Sequence, residues 1–365
     1  MVVRSPLGWD PVVPSRKRPW LPYAVVGVVL VVALLVSTRI GLPYYALAPG
    51  SARDVGELIV AKGAPTYPPE GEVLLTTIEL SQVTLLGAIE GWLRDDVDVV
   101  PEETIRPPDV SDEDYRRFNV QEMGDSKQTA IVVALRRLGY QVTERGEGAL
   151  IERVLPQFPA NGRLEIGEVI KAVDGKAVSL VQEATAAIGE HRAGEVVRLD
   201  VAPPDGSPVR TVEVPLAADP EQGGRPVLGV FLRTSNRAFD LPVDIDIRSG
   251  SIGGPSAGLA FTLGVIDALT EGELTGGRKV AVTGTIEIDG RVGDVGGVAQ
   301  KTEAVKAAGA DVFLVPAGEY DDAERRAGDD LRVVKVTTLQ EALDALSNLG
   351  GDPPVLAAPA RSGPG

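Results

Sequence analysis

The sequence predicts an α+β protein with a small β-rich insertion and one N-terminal transmembrane helix. Three observations support this fold class. Residues 20–38 contain no charged side chain, residues 142–217 are rich in strand and turn signals, and helix and strand patterns alternate from Gly253 to Leu349. The chain has 365 residues, which is too many for one typical hydrophobic core, so at least two domains are expected.

The composition excludes several classes of protein. The 36 basic and 52 acidic residues give a formal net charge of −16, which argues against nucleic-acid binding because that function needs a basic surface. Without cysteine, the chain has no thiolate nucleophile, thiolate metal site or disulfide. His191 is the one histidine, so an HExxH zinc site cannot form and a Ser-His-Asp triad would have to use His191 itself. A hydrolase would therefore use Lys, Asp or Glu as its base, and we interpret His191 as a solvated residue at a helix end.

The charge-free stretch at residues 20–38 has the length of a membrane span, since a helix of this length would be roughly 28 Å long. Arg16, Lys17 and Arg18 precede it, which predicts that residues 1–19 are cytoplasmic and that the rest of the chain lies outside the cytoplasm. A cleaved signal peptide is the alternative. Ala46 and Ala48 form an A-x-A site, although this site lies well beyond the apolar run.

Residues 40–139 carry the signals of strands and helices that belong to a first, N-terminal part of the main domain. We expect a strand at 71–79, a helix at 82–94, an acidic and Pro-rich loop at 95–110, and a long helix from Ser111 to Leu138. In the first helix, large apolar side chains share one face: Leu85, Leu86, Ile89 and Leu93. Ser111 and Asp114 form a weak capping box, and Gly139 closes the long helix.

The middle segment has a recognisable turn pattern. A turn at Gly167-Glu168 leads into an alternating strand, and Asp174-Gly175 is a strong hairpin signal. Residues 140–217 resemble a PDZ domain, although any small antiparallel domain with such a turn would fit. The resemblance implies capture of a peptide by strand addition, with a carboxylate-binding loop at Gly148, Ala149, Leu150 and Ile151. The sequence leaves open whether this groove is free or filled by the protein itself.

A Gly-rich turn before a small-residue helix, at residues 250–269, supplies a candidate nucleophile. Pro255 suits the first position of a helix, which places Ser256 in its first turn. There the free N–H groups and the helix dipole favour a developing oxyanion, with Gly253, Gly254 and Ala257 as the expected backbone groups. The turn lacks the Lys of a phosphate-binding P-loop and is neither G-x-G-x-x-G nor G-x-S-x-G. A plain helix cap remains an alternative.

A second stretch, residues 279–315, supplies a candidate base. It reads as a strand, a hairpin turned at Asp289-Gly290, and a helix opened by Gly296-Gly297. On that helix one face carries Lys301, Ala304, Val305 and Ala308. A desolvated Lys301 could have its pKa lowered towards about 7–8, at a cost of about 4 kcal/mol against the charged form. It would then serve Ser256 as a base without metal or cofactor. A partly exposed lysine that extends its amine to solvent is the alternative.

Three motifs in this region, G-P-S-A-G, V-T-G-T-I and D-G-x-V-G-x-V-G-G-x-x-x-K, resemble those of the Lon-type proteolytic domain in order and spacing. The resemblance implies that Ser256 is the nucleophile, Lys301 its base and Thr283 a hydrogen-bonding neighbour that orients the lysine. The whole chain resembles bacterial membrane-anchored Lon-like proteases in which a PDZ module interrupts the proteolytic domain. Residues 40–139 and 225–349 would then form one domain, followed by a disordered tail at 350–365.

Two departures from the Lon pattern affect the expected function. No Walker A motif is present and there is no room for an AAA+ module, so ATP-driven unfolding is not expected. Gly253 occupies a position where several Lon-type domains carry an acidic residue. Asp244 and Asp246 could substitute for that residue or simply form the solvated face of a strand.

The sequence therefore predicts an ATP-independent membrane endopeptidase without a cofactor that cleaves unfolded polypeptides outside the cytoplasm. A homo-oligomer is an expectation from the resemblance alone. A non-catalytic PDZ adaptor with an inactive protease fold, and an amidase or esterase that uses the same dyad, are the alternatives.

Overall fold

The computed structural model describes residues 23–24, 26–28, 37–219, 223–250 and 252–354. The predicted transmembrane helix at 20–38 lies largely outside these ranges, and so do residues 355–365 of the predicted tail. In the ranges described, no helix is both long enough and apolar enough to span a bilayer.

The N-terminal part of the fold combines a long hairpin with three helical segments. Its elements are β1 (Gly41–Asp54), β2 (Ile59–Lys62), β3 (Glu72–Thr84), α1 (Leu85–Trp92), β4 (Asp98–Pro101), α2 (Glu102–Ile105) and α3 (Asp112–Arg137). The strand expected at 71–79 and the long helix are confirmed, and the Ser111 side chain accepts the Asp114 N–H at 3.1 Å as a cap. The loop expected at 95–110 is wrong, because β4 there pairs with β1.

The middle part is a small antiparallel unit with one helix. Its elements are β5 (Thr143–Arg145), β6 (Ala149–Val154), β7 (Val169–Val173), β8 (Lys176–Ala177), α4 (Val181–Gly189), β9 (Val196–Ala202), β10 (Arg210–Pro215), β11 (Ala217–Asp219), β12 (Arg225–Val227) and β13 (Val230–Thr234). The hairpin at Asp174-Gly175 is confirmed, since both residues have positive φ and join β7 to β8. The sheet order is β10-β9-β7-β6-β13.

The C-terminal part alternates helices with strands. Its elements are β14 (Ala238–Asp240), β15 (Asp244–Ile247), α5 (Gly258–Leu269), β16 (Lys279–Val282), β17 (Thr285–Ile286), β18 (Val292–Gly293), α6 (Val298–Ala307), β19 (Val312–Pro316), α7 (Tyr320–Ala327), β20 (Arg332–Val336) and α8 (Leu339–Asn348). The hairpin at Asp289-Gly290 is confirmed by the pairing of β17 with β18.

The N- and C-terminal parts share one mixed sheet with the order β20-β19-β16-β3-β1-β4. Strand β3 pairs in parallel with β16, and Glu72 lies opposite Lys279 at the start of this ladder. Helix α3 packs across α5, and one continuous apolar core includes Leu75, Leu135 and Phe261. The chain on both sides of the middle unit therefore builds a single folded body, whose main core contains residues from both parts.

The middle unit has its own core and extends further along the chain than residue 217. Its buried side chains include Ile151, Leu199 and Leu228. Strand β13, which the sequence analysis assigned to the domain beginning at residue 225, instead pairs with β6 and forms the edge of the middle sheet. This strand returns to the unit after the β11–β12 hairpin, and such a non-local pairing leaves no local signal in the sequence.

Candidate active site

Ser256 lies in a single 3-10 turn, Pro255–Ala257, which leads directly into α5. Gly254 precedes the turn with φ 83°, a conformation that glycine adopts without strain. The Ser256 residue is half-buried, whereas α5 is buried along nearly its whole length. The serine is thus held at the accessible end of an otherwise enclosed helix.

Helix α3 holds this turn from one side. The Gly254 N–H donates to the Asn119 carbonyl at 3.0 Å, and the Ser126 hydroxyl donates to the Pro255 carbonyl at 3.0 Å. A Cβ at Gly253 would lie only 3.3 Å from the Cβ of Asn119. The Gly254 N–H is therefore already used in a hydrogen bond within the fold and cannot donate to an oxyanion, contrary to the expectation. Gly253 and Ala257 remain as candidate donors. Neither Asn119 nor Ser126 was expected from the sequence, because α3 lies more than a hundred residues away along the chain.

The segment after β16 holds the turn from the other side. The Gly284 N–H donates to the Ser256 carbonyl at 2.9 Å, and the Thr283 hydroxyl donates to the same oxygen at 3.3 Å. The Leu259 N–H returns a bond to the Gly284 carbonyl at 3.1 Å. Two hydrogen bonds thus hold the Ser256 carbonyl, and a third holds the start of α5, against the segment that follows β16.

Lys301 reaches the same threonine from α6. The helix begins after Gly297, which has a left-handed conformation, and Lys301 is 2% exposed. Its Nζ donates to the Thr283 Oγ1 at 3.0 Å. Burial lowers the pKa of Lys301 from 10.5 to about 8, and the charge of Glu319 acts in the opposite direction. The buried face predicted for this helix is confirmed, because Ala304 and Val305 are buried beside Lys301.

Thr283 connects the Lys301 side chain to the backbone of Ser256. Its hydroxyl accepts a hydrogen bond from the Lys301 amine and donates one to the Ser256 carbonyl. Within residues 252–354 no direct hydrogen bond joins the Lys301 amine to the Ser256 Oγ. Catalytic hydrogen bonds are often long in free enzymes and shorten with substrate. A neutral amine that donates one hydrogen to Thr283 keeps its lone pair free to accept a proton.

Glu319 is the carboxylate whose charge acts on Lys301, and it was not expected from the sequence. It ends a 3-10 turn after β19, and its Oε1 accepts the Val295 N–H at 2.9 Å. Its Oε2 is buried and has no hydrogen-bond partner among the residues described, and burial raises the pKa of Glu319. Asp244 and Asp246, the carboxylates considered from sequence, are exposed and alternate with buried residues along β15. The one signal for Glu319 is its place just after a fully buried strand.

His191 lies in the middle unit and takes part in its local structure. Its Nε2 is 2.8 Å from the Asp174 Oδ2, and its Nδ1 is 3.1 Å from the Ala187 carbonyl oxygen. The residue lies just after the end of α4, as expected, but its side chain is half-buried and not solvated. The structure does not bring it together with Ser256.

The predicted carboxylate loop has a different setting from the one expected. Ala149 and Ile151 are fully buried, and their strand β6 is paired with β7 on one side and with β13 on the other. The two edges of this sheet are β13 and β10. A groove of about 280 Å³ runs between β13 and α4, with Ile188 and Phe231 among its lining residues. A peptide that added a strand at the β13 edge would lie beside this groove.

Comparisons with known proteins give separate matches to a proteolytic domain and to PDZ domains. Residues 233–348 match the family described as the Lon protease (S16) C-terminal proteolytic domain. Lon protease 2 of Bacillus subtilis is 33% identical over 121 residues, which are 33% of this chain and 21% of that protein. Lon protease 2 of Herpetosiphon aurantiacus is 29% identical over 173 residues, which are 45% of this chain and 21% of that protein. The match thus spans about a fifth of the length of these relatives.

Among solved structures, the PDZ domain of the SdrC-like protein from Listeria innocua is similar at 26% identity. It covers 23% of this chain and 92% of that domain, with a TM-score of 0.22. The Listeria monocytogenes counterpart is also 26% identical, with the same TM-score and coverage of 24% and 87%. Residues 233–348 are therefore similar to the Lon protease proteolytic domain, and the chain also has PDZ-like structural neighbours.

Proposed function

We propose that this chain, with its Lon-type proteolytic domain, is an ATP-independent serine endopeptidase that uses Ser256 and Lys301 as a dyad on unfolded polypeptides. The observation that carries this proposal is the position of Lys301. Its buried amine bonds to Thr283, and the same hydroxyl bonds to the carbonyl of Ser256. Thr283 thus joins the proposed base to the backbone of the residue that carries the proposed nucleophile, which holds the two residues in one arrangement.

The proposed reaction begins with transfer of the Ser256 proton to the neutral amine of Lys301. The serine oxygen attacks a peptide carbonyl, and the N–H groups of Gly253 and Ala257 stabilise the oxyanion. Lys301 then returns the proton to the leaving amine, and water hydrolyses the acyl-enzyme by the same route in reverse. The proposed substrate is an extended chain, because a half-buried serine is easier for an extended segment to reach than for a folded surface.

The other parts of the proposal concern delivery and location. The middle unit would act as a PDZ domain and take a peptide at the β13 edge, with α4 as the other wall of the groove. Residues 20–38 would cross the membrane and leave the folded body outside the cytoplasm. Turnover without ATP is the remaining part of the proposal, and an assay from which ATP is omitted tests it.

Cleavage of an unfolded protein such as casein, without ATP, tests the catalytic proposal on the full chain in detergent. We expect S256A and K301M each to lower kcat/KM by about 10³-fold or more, because each removes a member of one catalytic unit. The matched control is K306M, since Lys306 is on the same helix but its Nζ lies 3.7 Å from the Asp330 carboxylate, near the surface. It should retain wild-type activity.

Three results would contradict the proposal. Cleavage by K301M at the wild-type rate would show that another group is the base. Turnover of small esters or amides without casein cleavage would favour the amidase or esterase alternative. A wild-type chain that cleaves nothing, and whose peptide binding is unchanged in S256A, would favour the adaptor alternative.

A further inference from the structure

Helix α1 has the reverse of the usual arrangement, because its small residues face the protein and its large apolar residues face outward. Ala88 and Gly91 are buried, and a Cβ added to Gly91 would lie 2.6 Å from the Cγ2 of Val99. Large exposed side chains occupy the rest of this helix and the residue after it: Leu85 at 50%, Leu86 at 36%, Ile89 at 44%, Trp92 at 70% and Leu93 at 81%. The apolar stripe that the sequence predicts is therefore turned away from the core. A contiguous exposed patch of this kind marks an interaction surface.

The outward orientation is a fixed property of the fold. Thr84 caps the helix by accepting the Gly87 N–H at 3.3 Å. Behind the helix, Ala88 packs with Ala46 and Val83 in a small separate core. The large side chains cannot rotate inward without breaking this packing, so they need a partner outside the described fold.

The same end of the molecule receives the chain from the apolar segment at residues 20–38. Gly41, the first residue of β1, lies opposite Thr84, the residue that caps α1. Two residues separate Thr38 from Gly41, and the three steps between their Cα atoms span at most about 11 Å. Paired strands add about 5 Å, so Thr84, the cap of α1, lies within about 16 Å of Thr38. Ile40 is also exposed, at 57%, and lies between the two apolar regions.

We propose that the outward face of α1 (Leu85, Leu86, Ile89, Trp92 and Leu93) lies in the interfacial layer of a lipid bilayer. This inference rests on the proposed membrane span at residues 20–38, because that span would hold α1 at the bilayer surface. An apolar helix face that carries a tryptophan suits this layer, where the indole ring meets both acyl chains and water. Together, the span and α1 make two attachments. They fix the height and tilt of the peptidase over the membrane, which a single tether cannot do.

Tryptophan fluorescence of the full chain in vesicles tests this placement. The chain contains Trp9, Trp20 and Trp92, so the double variant W9F/W20F reports on Trp92 alone. In vesicles with brominated acyl chains, we expect its emission to fall about twofold relative to ordinary lipid. The matched control is F231W in a chain whose three tryptophans are replaced by Phe. Phe231 is 49% exposed on β13 of the middle unit, and the emission of this control should not change with the lipid.

Flotation of the same vesicles tests the membrane span separately from the placement of α1. If the chain floats with the lipid but bromolipid leaves Trp92 emission unchanged, the placement of α1 is overturned and the membrane span is retained. If the chain does not float, both are overturned. Protection of Trp92 from lipid and from aqueous iodide, together with a dimer in solution, would show that the face docks on a second copy instead.

Discussion

At the scale of single residues, the account depends on a lysine that the fold keeps dry. Burial lowers the pKa of Lys301 to about 8, and the Glu319 carboxylate limits how far it falls. Thr283 orients the amine by accepting one of its hydrogens, so the lone pair of the neutral amine stays free to accept a proton. The three groups therefore set both the direction and the basicity of the base.

The charge of Glu319 should tune the pH dependence of the reaction. In E319Q the amide oxygen can still accept the Val295 N–H, but the negative charge near Lys301 is lost. The pKa of Lys301 should then fall, and the acidic limb of kcat/KM should move to lower pH by roughly half a unit. The matched control is E324Q on the exposed side of α7, which should leave the profile unchanged. A shift to higher pH in E319Q would contradict the assigned role.

The sequence located some of these residues and not others for a physical reason. Ser256 and Lys301 were found because local patterns surround them: a Gly-Pro turn before a helix, and a lysine on an apolar helix face. Thr283 came only through the resemblance to a known motif. Glu319 reaches the site because β19 ends beside the lysine, and the end point of a buried strand in space has no local signature.

At the scale of elements, the two residues between β16 and β17, Thr283 and Gly284, connect the Ser256 turn to Lys301. Gly284 has φ 143°, and a Cβ there would lie 2.7 Å from the Cγ1 of Val292. Its N–H also holds the Ser256 carbonyl. Position 284 therefore needs a glycine, both for its backbone conformation and for its close approach to Val292.

Replacing this glycine should loosen the site and the domain together. We expect G284A to destabilise the folded state by about 3 kcal/mol, from backbone strain and overpacking, and to lower kcat. The control G277A has φ 73° but open space around its Cβ, so it should cost only about 1 kcal/mol and leave kcat unchanged. Thermal unfolding of both variants gives the comparison. Equal midpoints would show that the contact with Val292 is relieved without cost.

The errors of the sequence analysis at this scale share one cause. Strand β4, expected as loop, pairs with β1, which lies about fifty residues earlier along the chain. The helix expected from residue 82 begins at Leu85, because Gln82 continues the β1–β3 ladder opposite Tyr45. Helical periodicity correctly identified the stripe of α1 but could not show which way it faces. In each case long-range packing decided what local pattern left open.

At the scale of the whole molecule, the middle unit is an insertion whose two ends meet. The Glu147 N–H donates to the Ser235 carbonyl, and the Ser235 N–H donates to the Gly148 carbonyl, each at 2.8 Å. Just outside this point β5 pairs with β14. The core of the middle unit is separate from the main core that the N- and C-terminal parts share. Those two parts therefore do not need the insertion to complete their own core.

Excision of the middle unit should therefore leave a folded peptidase. Replacing residues 148–234 with a short Gly-Ser linker keeps Glu147 and Ser235 at their present separation. We expect the shortened chain to keep the kcat of the full chain on casein, while KM rises about tenfold for substrates that the groove would recruit. Steady-state kinetics of both chains provide the measurement. Loss of kcat in a chain that remains folded would show that the middle unit contributes to the site itself.

The central claim, that the dry amine of Lys301 activates Ser256, is tested most directly by the pH dependence of Ser256 acylation. The full chain is treated with an activated acyl ester, and modification of Ser256 is followed by mass spectrometry. The account predicts a rate that rises with pH to a plateau, with a midpoint at about 8, because the base must be neutral. It also predicts that K301M removes this rise. A midpoint near that of free lysine, about 10.4, or a rate unchanged in K301M, would contradict it.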